Sequence, residues 1–220
     1  MGRRCLFSRR RFPLDDCFHT VKAEAVGEYA EKRSRFIAAV CPAADEQEAS
    51  AFIEKIKAAH RDARHNVFAF SLRAGARRYC DDGEPSGTAG APILDLLEKR
   101  GVTNCAVVVT RYFGGILLGT GGLVRAYSAA AALALDRAGT VKMTARQRCT
   151  VVCDYALYNR LASLFPRFGV KVENSAFAGE VTLCLHLPEQ GFPAFSKAVR
   201  ELSGGTCQPA AKDCFYAPTP

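Results

Sequence analysis

A chain of 220 residues with 49% hydrophobic and 24% charged residues can bury one large or two small cores, which excludes a disordered or low-complexity protein. The formal charge of +8 is mostly local, because five arginines (Arg3, Arg4, Arg9, Arg10, Arg11) fall within MGRRCLFSRRR. No apolar segment follows that cluster and no run is long enough to span a bilayer, so a secretory signal, a twin-arginine signal and a membrane helix are all excluded.

Residues 1–17 read as a basic leader, either an unstructured tail or a flexible arm that touches phosphates. The ten cysteines are scattered without a C-x-x-C pair, so we expect reduced thiols, no zinc and a cytoplasmic protein. HTVKAEAV and RSRFIAAV read as strands separated by a turn near Gly27. Asp45 and Glu48 form a capping pair ahead of a helix whose apolar face carries Ala49, Phe52, Ile53 and Ile56. NVFAFSLR (66–73) alternates as a half-buried strand, with ARRYC (76–80) pairing back to it. The loop DDGEPSGTAGAP leads to a helix with Pro92 in its first turn and Gly101 past its end. NCAVVVTRYF (104–113) reads as a central strand buried on both faces, and LVRAYSAAAALALDRAG (123–139) as a helix. A joint at 140–148 separates this domain, 18–140, from a second at 145–216. There CTVVCDY, a helix capped by Asp154, a hairpin turning at Ala178–Gly179, a helix and a last strand give β-α-β-β-α-β, the ferredoxin-like order.

Five of the nine positions from Gly114 to Gly122 are glycine, with Arg111 before them and Arg125 after. A strand, a glycine-rich turn and a helix start are the parts of an anion site, since free amides and the helix dipole favour negative charge there. A nucleotide P-loop is excluded, because Thr120 and Gly121 replace its lysine and hydroxyl residue. The dinucleotide pattern matches only at Gly119 and Gly121, with Val124 in place of the third glycine. We expect an anion or nucleic-acid site formed by Gly114, Gly115, Gly119, Gly121, Gly122, Arg111 and Arg125. Tyr112, Phe113 or Tyr127 would stack on a base, core packing being favoured for Phe113. The alternative for the arginines is an internal ion pair with the carboxylates of the preceding loop. That loop holds Asp81, Asp82, Glu84, Ser86 and Thr88, whose role stays open between turn chemistry and a small-molecule or phosphoester hydrolase with His65 as base. GEPSG is not a nucleophile elbow.

DDGEPSGTAGAPIL (81–94) and VVVTRYFGGILLGTGGLVRAYSAA (107–130) resemble the signature blocks of the YigZ/IMPACT family, as do RSRFIAAV (33–40) and ARHNVFAF (63–70). Together these blocks cover residues 20–140. The resemblance implies an α+β protein of two two-layer α/β domains. The first would be like a ribosomal-protein domain and the fourth domain of the translocating elongation factor, the second ferredoxin-like. It also implies translational control, which animal and fungal members exert by competing for the activator of an initiation-factor kinase. The family commonly has a basic residue where Leu117 or Leu118 stands, so this chain carries one positive charge fewer beside the glycines. The resulting expectation is a non-catalytic protein without cofactor or metal that binds RNA or the ribosome and modulates translation. A pure protein-interaction module is the other reading.

Overall fold

The computed structural model describes residues 17–219. The arginine-rich leader therefore lies outside the described residues except for Cys17. Residues 18–142 form one compact unit and residues 143–219 belong to a second, the division falling between Lys142 and Met143.

The first unit contains strands β1 (Cys17–Val21), β2 (Ala25–Glu31), β3 (Ser34–Pro42), β4 (His65–Ser71), β5 (Arg77–Cys80) and β6 (Cys105–Tyr112). Its helices are α1 (Glu46–Ala59), α2 (Gly90–Lys99) and α3 (Thr120–Ala138). The sheet of β2 to β6 has the order β2-β3-β6-β4-β5, every neighbouring pair antiparallel, and β1 lies outside it. Central β6 is apolar from Cys105 to Val109 because both of its faces are covered. Cys105, Val107 and Val109 pack with residues of α2 and α3, whereas Ala106 and Val108 pack with Phe52 and Ile53 of α1. Helix α1 thus adds cover on the face opposite the two helices of the expected two-layer arrangement. The capping pair ahead of it is formed: Asp45 accepts from the Glu48 amide at 2.8 Å, and Glu48 reaches back to the Ala44 amide at 2.7 Å.

One turn differs from expectation. The chain reverses between β2 and β3 at Lys32 and Arg33, both with positive φ (43° and 67°), and not at Gly27. Gly27 lies within β2, where a Cβ would come 2.5 Å from the Ala134 amide nitrogen of α3. Its missing side chain therefore serves close helix-on-strand packing. The buried alanines Ala126, Ala130, Ala134 and Ala138 do the same along α3.

The second unit runs β7 (Thr140–Cys153), α4 (Tyr155–Ala162), α5 (Phe165–Phe168), β8 (Lys171–Phe177), β9 (Val181–Pro188), α6 (Phe192–Leu202) and β10 (Ala210–Pro218). Residues 140–148, read above as a joint, are strand. The antiparallel order β10-β7-β9-β8 is the ferredoxin-like one, around a core that includes Val151, Leu161, Leu183 and Phe195. Asp154 caps α4 by accepting from the Leu157 amide at 2.7 Å. The single helix expected from there to Gly169 is two, because Pro166 supplies no amide to continue the first and starts α5 instead.

The described cysteines are all free thiols. Burial pushes Cys41 and Cys105 up to about 12 and Cys149 to about 11, which leaves them protonated and unreactive. Among the described residues no helix is long and apolar enough to cross a membrane.

Candidate functional site

The acidic loop between β5 and α2 is organised by its first residue. Helix α2 has Ala89 at its N-cap, a residue with no side-chain cap to offer. The Asp81 carboxylate supplies one from outside, accepting from the amides of Gly87 (2.8 Å), Ala89 (3.1 Å) and Gly90 (2.7 Å). Asp82 sits in the left-handed region (φ 44°). Its carboxylate accepts from the Asn66 amide at 2.6 Å, and its carbonyl takes a hydrogen bond from Nδ1 of His65 at 2.7 Å. The Thr88 hydroxyl donates to the Pro85 carbonyl at 2.6 Å, and Ser86 is exposed. Asp81, Asp82 and Thr88 are thus engaged with backbone, which is turn and capping chemistry.

Glu84 is the exception. The loop turns its side chain inward, leaving it 3% exposed, and Oε1 accepts from Arg111 Nη1 at 2.7 Å and from the Tyr127 hydroxyl at 2.8 Å. His65 Nε2 lies 3.9 Å from the same oxygen. Glu84 Oε2 accepts no hydrogen bond among the described residues. The Arg111 guanidinium lies between the rings of Phe36 (5.5 Å) and Phe113 (5.4 Å), and its Nε is buried without an acceptor among the described residues. Burial, and then the Glu84 carboxylate, push the Tyr127 phenol well above its usual range, so it stays a neutral donor.

Of the two readings of Arg111, the structure contains the internal ion pair. Tyr127 is fully buried, edge-on to Phe36 at 5.1 Å, and presents no face to a base. Tyr112 is half-buried with its hydroxyl between Asp62 and His60. Phe113, favoured above for the core, is 46% exposed instead, because it follows the end of β6. Arg125 is exposed in the second turn of α3 and forms no ion pair among the described residues.

The glycines divide in function. A Cβ on Gly114 would lie 2.0 Å from the carbonyl carbon of Arg33, so this glycine seats the loop on the β2–β3 turn, where its amide also donates to Ser34 Oγ at 3.2 Å. Gly115 (φ 85°) and Gly119 (φ 72°) supply left-handed backbone. Gly122 packs against Leu118, and Gly121 meets only the Arg125 guanidinium. Gly119 precedes α3 without a side-chain cap, so the first amides of that helix have no intrahelical or capping partner.

These elements enclose a cleft of about 420 Å³. Arg64, His65, Glu84 and Arg111 make its polar wall, Pro85, Phe113, Leu117 and Leu118 its apolar wall, and Gly119 and Thr120 bring the start of α3 to it. Sequence reasoning passed over Arg64 and considered Leu117 only for the basic residue that it or Leu118 replaces. Leu117, 82% exposed in a run of apolar residues, carried the clearer signal. Arg64 stands beside His65 in the ARHN block and was open to the same reading.

Residues 32–135 match the model of the Impact N-terminal domain, and residues 151–206 match a domain of unknown function (DUF1949). The chain is 35% identical to the IMPACT family member YvyE of Bacillus subtilis, covering 86% of this chain and 88% of that one. It is 38% identical to YigZ of Escherichia coli over 80% and 89% of the two chains. Protein IMPACT of Homo sapiens is 38% identical over 40% of this chain and 29% of its own length. A solved structure titled as a hypothetical protein shares the fold, with TM-score 0.62 and 35% identity over 91% of this chain and 99% of that one. By its sequence over most of its length and by its fold, the chain belongs to the IMPACT family.

Proposed function

We propose that this family member is a non-catalytic RNA-binding protein that modulates translation in the cytoplasm, taking up the RNA backbone at the start of α3. The observation that carries the reading is the uncapped helix terminus, whose free amides and dipole attract an anion, facing a cleft with the exposed cation Arg64. Arg125 adds a second unpaired charge one turn into α3, where it opposes the helix dipole unless an anion lies nearby. Asp81 accepts from three backbone amides and Asp82 from one, so both serve the structure of the loop. A ribosomal RNA surface offers the same chemistry. The reading as a protein-interaction module draws on Ile116 and Leu117, exposed on the glycine loop.

Single-stranded RNA should bind with an affinity that falls with salt, and Arg64→Ala and Arg125→Ala should each lower the log-log slope by about 0.7. Neither residue is buried or paired, so both variants should keep the wild-type melting temperature. Absence of salt-dependent RNA binding would overturn the proposal, and loss of protein capture in Leu117→Glu would then favour the interaction module.

A further inference from the structure

The geometry points to a base-reading role for the same cleft: we infer that it takes one unpaired nucleotide whose base carries an exocyclic amino group, with Glu84 as the group that reads it. The inference rests on the RNA-binding proposal and deepens it. Bare attraction for phosphate needs only cations and amides, yet here a carboxylate lies at the polar wall. Its Oε1 is filled by Arg111 and Tyr127, while Oε2 accepts nothing among the described residues. Oε2 is open to solvent in the cleft while the rest of the side chain is buried, so a ligand can reach it; one that brings a donor is favoured there and one that offers only acceptors meets repulsion.

Arg111 and Tyr127 hold that carboxylate in place, so Glu84 accepts without a rearrangement. The Arg111 Nε, buried and without an acceptor among the described residues, marks the same wall as one with hydrogen-bonding capacity to spare. The lining also carries Phe113, 46% exposed beside the Arg111 guanidinium at 5.4 Å and within stacking reach of a planar base. The free amides of α3 supply the phosphate end. From Thr120 to Tyr127, whose hydroxyl meets Glu84, the helix rises about 10 Å along its axis. A nucleotide is a ligand with an anionic oxygen at one end, an aromatic plane in the middle and a donor at the other. Adenine, cytosine and guanine carry the amino donor, whereas uracil lacks it and offers only the N3–H that lies between its two carbonyls.

The test alters the ligand, so that protein stability does not enter. Fluorescence anisotropy would compare a uridine decamer with decamers carrying one central adenosine, cytidine or guanosine. Further decamers would carry purine riboside or inosine, which lack the amino group of adenosine and guanosine. We expect each amino-bearing base to bind about tenfold more tightly than its amino-free counterpart, the factor of one well-made hydrogen bond. Phe113→Ala should weaken all decamers alike and keep those ratios. Equal, salt-dependent binding of every decamer would overturn base reading and leave RNA binding standing. No binding of any decamer would overturn both.

Discussion

Removing Arg111 tests the buried pair directly. Its side chain is 6% exposed and that of Glu84 3%, and they meet at 2.7 Å, so Arg111→Ala strands a carboxylate away from water with one remaining donor, Tyr127. Breaking a buried ion pair by deleting one partner costs about 3–5 kcal/mol. Loss of the guanidinium between Phe36 and Phe113 adds a packing defect of the same sign. For a unit the size of residues 18–142, at about 4 °C per kcal/mol, its calorimetric transition should fall by roughly 12–20 °C. The triple variant Glu84→Leu, Arg111→Met, Tyr127→Phe should recover most of the loss, because it removes the charges and the orphaned hydroxyl together. A single variant within about 1 kcal/mol of wild type would refute the reasoning, since it would mean that water reaches the pair.

Gly114→Ala should be more damaging than Gly115→Ala. The first forces a methyl group to 2.0 Å from the Arg33 backbone, which no rotamer change relieves, whereas the second meets open space and only the left-handed backbone penalty of about 1 kcal/mol. Urea midpoints in the reverse order would contradict that assignment. In the second unit, burial and then Arg146 lower the His186 pKa, and Nδ1 accepts from Arg146 Nε at 2.5 Å. As pH falls the unfolded chain, near 6.5, takes up the proton first, so the stability held by neutral His186 is complete above that value and is lost below it. The melting temperature of this unit should therefore drop between pH 7.5 and 5.5, and His186→Gln should flatten the slope. The carboxylates of Glu173 and Asp213, lowered by Arg148 and by backbone hydrogen bonding, titrate below that window. An unchanged slope in the variant would refute the assignment to His186.

The local codes were legible in the sequence: both aspartate caps and the continuous apolar run of β6 each depend on neighbours a few residues away, whereas β4, expected to be half-buried, is covered on both faces because α1 lies over the second. What was not legible depends on elements that meet from afar. Gly27 looks like a turn residue until α3 is laid across it, and the true turn at Lys32–Arg33 uses residues that seldom adopt left-handed backbone. Tyr127 reads as an accessible aromatic near an arginine, and only its contact with Glu84, across a separation of 43 residues, makes it interior. Arg111 could be assigned to a ligand or to a carboxylate, because sequence fixes the charges present but not their pairing.

The seat of α3 on β2 sets how its free end behaves. Near the far end of the helix the backbone at Leu133 and Ala134 lies against Gly27 so closely that neither sliding nor rolling is open to it. The helix is a strut clamped at its base, with its first amides held about 20 Å away along the axis. Those amides are then aimed before any ligand arrives, so that binding needs little ordering of the protein. A methyl group added at Gly27 would tilt the strut and shift its tip, changing affinity at a site that the substitution never touches.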